Sequence, residues 1–236
     1  MPTARHTYTG AGGTGLLENL FGAFFIAFAL IARPFLKNWM YTWGATPAET
    51  QRALPGDARV PRPKVRTTRA ITIHAPAEAV WPWVAQVGQE RGGLYSYQRL
   101  ENLGGCQIRN ANQIVPEWQD WQPGDVMRLG PKGYPLFKLV EIEPGRTLIF
   151  AGADPNTEAA GEWRDPMPPT YVVSSWTMML EPVDARTTRL IMRERVDYAP
   201  ANFANWLIWV ALAYTIDFVM MRKMLLGIRA RAEAAV

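Results

Sequence analysis

Hydrophobic residues recur at helical spacing through the last part of the chain, from Asn202 to Ala232. A single helix over this segment would carry one apolar line, made up of Leu207, Ala211, Tyr214, Phe218, Met221, Leu225 and Ile228. From Trp206 to Ile216 nearly every position is apolar, so we expect this half to be covered on all sides. After Asp217, basic residues occupy the outer face of the helix, so we expect that half to be partly exposed to solvent. Such a helix, about 45 Å long, suits a sheet that wraps around it.

A second apolar segment lies near the amino end, where thirteen consecutive apolar residues run from Leu20 to Ala32. Extension through the aromatic residues that follow brings it to about the 20 residues of a membrane-spanning helix. We interpret residues 16–43 as a membrane anchor whose apolar contacts are Phe21, Phe24, Phe25, Phe28, Leu30 and Ile31. The alternative is a helix buried against the folded domain. Because Arg33 and Lys37 follow the apolar run, the positive-inside tendency places the domain on the cytoplasmic side.

Two connecting segments flank this helix. Residues 1–15 are small and polar, and their glycine cluster is interpreted as a flexible lead, because no strand precedes it as a nucleotide-binding loop requires. Residues 44–66 begin with a capping box formed by Thr46 and Glu49, which predicts a short helix. The proline-rich stretch 57–66 predicts a stiff, solvated linker.

The remaining segment, residues 67–236, has the pattern of one compact domain. Alternating polarity predicts a first strand over residues 67–74, and two short helices follow, the second over Tyr95 to Leu103. Turn residues then separate five further predicted strands, at 126–129, 136–143, 147–151, 172–181 and 188–197. Residues 152–170, rich in proline and acidic residues, predict an exposed loop.

Composition narrows the possible functions. The net charge of +4 is mild and the basic residues are scattered, so no nucleic-acid partner is expected. Cys106 is the only cysteine, which excludes an intramolecular disulfide, and the chain has only two histidines. We therefore expect no metal site and no cofactor.

The order of one strand, two short helices, a run of antiparallel strands and one long helix resembles the SRPBCC superfamily. This is the START, Bet v 1 and polyketide-cyclase group, and the similarity is greatest to a bacterial subset of polyketide cyclase/dehydrase-like proteins. The residues that carry the resemblance are Ala70–Ile73, Pro76, Trp81, Arg91–Tyr97, Leu100–Leu103, Ile114–Glu117, Gly124–Asp125, Phe218–Met220 and Arg222–Ile228. It implies an α+β helix-grip fold, in which a curved antiparallel sheet wraps around the carboxyl-terminal helix. Two positions depart from the subset by losing an acid, Gln98 and Met221.

The resemblance also implies a cavity between the sheet and the long helix. One register of the last two strands gives an inward face of Val172, Ser174, Trp176, Met178, Leu180, Leu190, Met192, Glu194 and Val196. Aromatic and methionine walls with a few polar groups are typical of a small-molecule site, although a plain core gives the same pattern. The candidate ligand-binding residues are Tyr95, Tyr97, Glu101, Trp176, Met178, Met192, Glu194, Tyr214, Asp217 and Phe218.

Evidence for catalysis in the sequence is weak, and we assign no catalytic residue. The most interesting carboxylate is Glu194, which alternation places on the apolar side of its strand while Arg193 and Arg195 point the other way. A carboxyl group among apolar neighbours has a raised pKa, which suits acid or base chemistry. The alternative is a solvated position at the end of the strand, and Asp217 has the same ambiguity on its helix.

These observations lead us to expect a membrane-associated helix-grip protein that binds a hydrophobic small molecule or lipid. One alternative is a structural subunit of a membrane complex, which would have a membrane-protein partner and use its tryptophan-rich helices for docking. A further alternative is a cyclase or dehydratase. The ten tryptophans, several of them beside the two most apolar segments, favour an interface with a bilayer or a partner.

Overall fold

The computed structural model describes residues 15–236, so the glycine-rich lead assigned to residues 1–15 lies almost wholly outside the described residues. Two helices precede the sheet, α1 (Leu16–Tyr41) and α2 (Pro47–Gln51), and two follow its first strand, α3 (Ala77–Ala85) and α4 (Gln98–Leu103). The strands are β1 (Val65–Ile73), β2 (Val126–Arg128), β3 (Leu136–Glu143), β4 (Thr147–Ala153), β5 (Tyr171–Asp184) and β6 (Thr187–Ala199). The chain ends in α5 (Phe203–Asn205), a π-helix (Trp206–Ala213) and α6 (Tyr214–Glu233).

The six strands form one antiparallel sheet in the order β1-β6-β5-β4-β3-β2. The sheet curves around α6, which confirms the predicted α+β fold. Alternation in the sequence placed every strand to within a few residues, because each strand buries one face in the core. None of residues 154–170, which join β4 to β5, is buried, as expected of an exposed loop.

The core lies between the inner face of the sheet and α6. Trp176, Met178 and Leu180 of β5 face it, together with Leu190 and Met192 of β6, as the alternation predicted. Val172, assigned to the same face, is 57% exposed, because it lies at the end of β5 beyond the packed part of the sheet. On α6 the buried residues include Met221, Leu225 and Ile228 of the predicted apolar line.

The first half of the closing helical segment differs from the prediction. Within the π-helix only Val210 and Ala211 are buried, so the expectation that this half is covered on all sides was wrong. Val210 packs against Val65 and Tyr198 at the end of the sheet, whereas the large side chains of Trp206, Leu207, Ile208, Trp209 and Leu212 are exposed. The sheet covers α6, whereas the π-helix projects past it.

Helix α1 packs along this closing segment. Its Glu18 pairs with Lys223, its Phe25 ring lies 6.1 Å from that of Phe218, and the Arg33 guanidinium donates to the Val210 carbonyl at 3.2 Å. The order of these contacts shows that the two helices run in opposite directions. Gly22 makes the approach possible, since a Cβ there would lie 2.7 Å from the Tyr97 ring.

The segment 44–66 lies against the sheet, although its stretch 57–66 was predicted to be a solvated linker. Its capping box is present as predicted, with Glu49 N donating to Thr46 Oγ1 at 3.2 Å and Thr46 N donating to Glu49 Oε2 at 2.6 Å. Val60 is fully buried, however, and the guanidinium of Arg195 donates to its carbonyl at 2.8 Å. Arginines on the outer face of β6 hold this segment against the sheet, so α1 is not joined to the domain by a free tether.

Candidate functional site

A cavity of about 340 Å³ lies between the sheet and α6. Its floor comes from the sheet, its roof from the beginning of α6, and its rim from the loops after α4 and β2. Apolar and sulfur-containing side chains form most of the wall: Leu94, Cys106, Leu129, Tyr134, Pro135, Phe137, Trp176, Ile216, Met220, Met221 and Met224. The polar lining residues are Ser96, Glu101, Glu194 and Asp217.

Glu101 supplies one buried carboxyl group. It lies in the first turn of α4 and is only 8% exposed. Ser96 Oγ donates to its Oε1 at 2.5 Å, whereas its Oε2 is buried with no hydrogen-bond partner among the described residues. Burial raises the pKa of Glu101 to about 7, against the opposing effect of the Ser96 hydrogen bond.

Glu194 supplies a second carboxyl group from β6, and it points inward as the strand alternation predicted. Thr67 Oγ1 donates to its Oε2 at 3.0 Å, and Arg69 Nη1 lies 3.4 Å from the same oxygen. Burial first, and then the neighbouring charge of Asp217, raise the pKa of Glu194 to about 8. The side chain is 12% exposed, so the alternative of a solvated position at the strand end does not hold.

Asp217 completes the acidic set from α6. Arg69 Nη1 donates to its Oδ2 at 2.6 Å, and the Arg69 side chain is 1% exposed. Sequence analysis missed Arg69, although a signal was present, because Arg69 shares the inward side of β1 with Ile71 and Ile73. A charged residue in that register needs a buried partner, and Glu194 and Asp217 are the partners.

The structure places four of the ten candidate ligand-binding residues in the cavity lining, namely Glu101, Trp176, Glu194 and Asp217. Met178 and Met192 are buried in the core outside the lining. Tyr95 is also buried there, where its ring meets Trp83 edge to face at 6.1 Å.

Three other candidates pack against α1, two of them from α6 and the third, Tyr97, from the residue before α4. Phe218 packs against Trp39 with 5.1 Å between ring centroids, and Tyr214 lies 6.4 Å from Tyr41. Tyr97 is buried beneath Gly22 of α1. These side chains serve the packing of α1. The sequence offered docking of that helix as an alternative, but it did not indicate which side chains α1 would cover.

Sequence analysis also missed the methionines of the roof. Met220, Met221 and Met224 line the cavity at helical spacing, beside Ile216. Met221 belongs to the predicted apolar line, but Met220 and Met224 do not. The helical spacing of apolar residues therefore did not distinguish residues that line the cavity from residues of the core. Ala211, on the same line, is outside the lining.

A second feature is an exposed apolar face on two adjoining helical segments. We use this name for Leu16, Leu17, Leu20, Phe21, Phe24, Phe28, Ile31, Phe35 and Trp39 of α1 and for Phe203, Trp206, Leu207, Ile208, Trp209, Leu212 and Ile216. Of the predicted anchor residues, Phe25 and Leu30 are instead half-buried. Both helical segments, Leu16–Tyr41 and Phe203–Glu233, are long and apolar enough to cross a membrane, which by length and composition alone is weak evidence.

No family model matches the chain, and no curated protein matches its sequence. Similar solved structures include the ZhuI aromatase/cyclase from Streptomyces sp. R1128, with a TM-score of 0.40 and 16% identity over 72% of this chain and 93% of that one. A conserved protein from Geobacillus kaustophilus has a TM-score of 0.37 and 11% identity over 72% of this chain and 97% of that one.

Proposed function

We propose that the protein binds an apolar small molecule or lipid in the cavity beneath α6 while its apolar face rests in a membrane. The observation that supports this proposal most strongly is that Ile216 belongs both to the cavity lining and to the exposed apolar face. Its side chain lines the cavity and is also 40% exposed as part of the apolar face. One apolar side chain therefore belongs both to the cavity wall and to the apolar face, which supports entry of an apolar molecule from a bilayer at this point.

The chemistry of the cavity supports an apolar ligand. Its volume falls at the lower end of the roughly 300–1,000 Å³ of small-molecule sites, and such sites have mostly apolar walls with a few polar groups. A ligand that buries about 300 Å² of apolar surface gains on the order of 7 kcal/mol before ordering costs. The methionine side chains of the roof are flexible, which suits ligands of varied shape.

The apolar face supports the membrane part of the proposal. Only 17% of the most apolar window of α1, and 28% of that of the closing segment, is buried, whereas a helix of a soluble core would be mostly buried. Trp39, Trp206 and Trp209 are exposed on it, and tryptophans are enriched where a protein meets the membrane interface. Exposed apolar surface of this extent also fits a protein partner, which is the scaffold alternative.

The cavity can be tested through its own cysteine. Cys106 lines the cavity and is the only cysteine of the chain, so alkylation by a small maleimide reports on access to this space. With the full-length protein in an amphipathic polymer, we expect Nile red, a neutral apolar dye, to slow alkylation of Cys106. Met220→Trp fills the cavity and should abolish both dye binding and protection.

Leu103→Trp is the matched control, because Leu103 is 86% exposed beside the site and outside the lining. It should bind the dye as the wild type does. Unchanged dye binding in Met220→Trp would show that the dye binds elsewhere and would remove the support for a ligand cavity.

A further inference from the structure

Two residues of the cavity lining each carry a buried side-chain polar atom that has no hydrogen-bond partner among the described residues. One atom is Nε1 of Trp176, a donor, and the other is Oε2 of Glu101. Trp176 is 4% exposed and Glu101 is 8% exposed, so water does not readily satisfy either of them. An unpaired buried polar atom costs free energy comparable to a lost hydrogen bond. A ligand that supplies both an acceptor and a donor would remove that cost.

The charges around the cavity limit what that ligand carries. Three carboxyl groups line it, those of Glu101, Glu194 and Asp217, and none of its described lining residues is Lys, Arg or His. The guanidinium of Arg69 is outside the lining, and its Nη1 pairs with both Glu194 and Asp217. A ligand with an ionised carboxylate would find no Lys, Arg or His among the described lining residues to pair with it.

The remaining head groups differ in hydrogen bonding. A protonated amine would suit the carboxyl groups but offers no acceptor to Trp176 Nε1. A pure alkane satisfies neither Trp176 nor Glu101. A hydroxyl group donates to a carboxyl oxygen and accepts from an indole N–H, and it carries no charge.

We propose that the cavity selects uncharged apolar molecules whose polar group is a hydroxyl, and that it rejects fatty-acid carboxylates. This inference rests on the proposed function, since it assigns the ligand class of the same cavity. Trp176 Nε1 and the carboxyl groups of Glu101 and Glu194 are the polar contacts. They act as specificity determinants, while the methionine and aromatic walls supply most of the affinity.

The test compares four probes that share one chain: dodecane, 1-dodecanol, dodecanoate and dodecylamine. Each competes with Nile red for the full-length protein in an amphipathic polymer. We expect 1-dodecanol to bind about tenfold more tightly than each of the other three, the gain from one or two well-placed hydrogen bonds. Trp176→Phe should remove most of that advantage and leave the affinity for dodecane unchanged.

Trp163→Phe is the matched control, because Trp163 lies in the exposed loop between β4 and β5 and is outside the lining. Dodecanoate binding as well as or better than 1-dodecanol, or an unchanged preference in Trp176→Phe, would overturn the inference while leaving the cavity proposal standing. If neither Nile red nor any of the four probes binds, the proposed function itself fails.

Discussion

Arg69 on β1 donates a 2.6 Å hydrogen bond to Asp217 on α6, so the strand at one edge of the sheet is tied to the helix that closes the domain. The same guanidinium lies 3.4 Å from Glu194 on β6. It also donates through Nε to the Met40 carbonyl at the end of α1. One buried side chain therefore joins the sheet, the closing helix and the amino-terminal helix at the polar end of the cavity.

Replacement of this arginine should be costly. Arg69→Met leaves Glu194 and Asp217 facing each other without their cation, and loss of one partner of a buried ion pair typically costs about 3–5 kcal/mol. We expect the free energy of unfolding, measured by urea denaturation, to fall by about that amount. Arg66→Met, at an exposed position of the same strand, should change it by less than about 0.5 kcal/mol. Equal effects of the two changes would contradict the assigned role of Arg69.

Glu101 should make stability depend on pH. Its folded-state pKa is raised from 4.5 to about 7, so in that window the folded protein holds a proton that the unfolded chain releases. The stabilisation is complete below pH 4.5 and is lost as the pH rises through about 7. Glu101→Gln has no titrating group at this position and does not undergo this pH-dependent loss. The free energy of unfolding of Glu101→Gln, relative to that of the wild type, should therefore rise across this window by on the order of 3 kcal/mol.

Urea denaturation at several pH values measures this difference. Glu194 is present in both proteins, so its own titration cancels in the comparison. Cys106 also titrates beside Glu101, but burial raises the pKa of that thiol above its ordinary value, which keeps it out of this window. A difference that stays constant with pH would show that Glu101 does not hold a proton in the folded protein.

Arg193 should hold residues 49–57 against the outer face of the sheet. Its guanidinium donates to the carbonyls of Glu49 at 2.6 Å and Arg52 at 2.8 Å, and to Asp57 Oδ2 at 2.8 Å. Arg193→Met leaves these acceptors without their donor, so we expect the free energy of unfolding to fall by about 2–4 kcal/mol. We also expect faster amide hydrogen exchange over residues 49–57. Arg186→Met, in the exposed turn before β6, should have neither effect.

These contacts show where the sequence was informative and where it was not. Alternation located the strands and the inward position of Glu194, because a strand with one face in the core must repeat every second residue. The outer face of β6 offered no such rule. Arg193 and Arg195 bond mainly to backbone carbonyls of residues 49–61, and any sequence supplies backbone carbonyls. The proline-rich stretch therefore could not be distinguished from a solvated linker.

The cavity was predictable only in part for a related reason. Trp176 and Glu194 were found from the strand register, since they lie directly opposite each other on β5 and β6. Tyr97 and Phe218 look equally suitable in sequence, but α1 covers them through Gly22 and Phe25. Which apolar side chains remain free to line a cavity depends on where α1 docks, and that contact joins positions far apart in the chain.

The apolar face predicts membrane binding that two charges should abolish. Phe24 and Ile31 are 68% and 80% exposed on α1, so Phe24→Glu with Ile31→Glu places two acids in the face without disturbing buried contacts. We expect the wild-type protein to float with neutral phosphatidylcholine vesicles in a density gradient and the double variant to stay at the bottom. The matched control, Val172→Glu with Val183→Glu, adds two acids at exposed positions of β5 and should float.

Flotation of the Phe24 and Ile31 double variant would contradict the membrane role of α1. If the wild-type protein fails to float but is recovered from cells in a stable complex that the double variant cannot form, the apolar face is a protein interface. The scaffold alternative would then replace the membrane part of the proposal.

Native mass spectrometry of the full-length protein, released from amphipathic polymer after purification from its own cells, shows whether the space beneath α6 holds a ligand. We expect the wild type to retain one uncharged apolar molecule, Met220→Trp to retain none, and Leu103→Trp to retain the same molecule as the wild type. If the wild type carries no small molecule and takes up none of the dodecyl probes, or if Met220→Trp retains what the wild type retains, the space beneath α6 is not a ligand site.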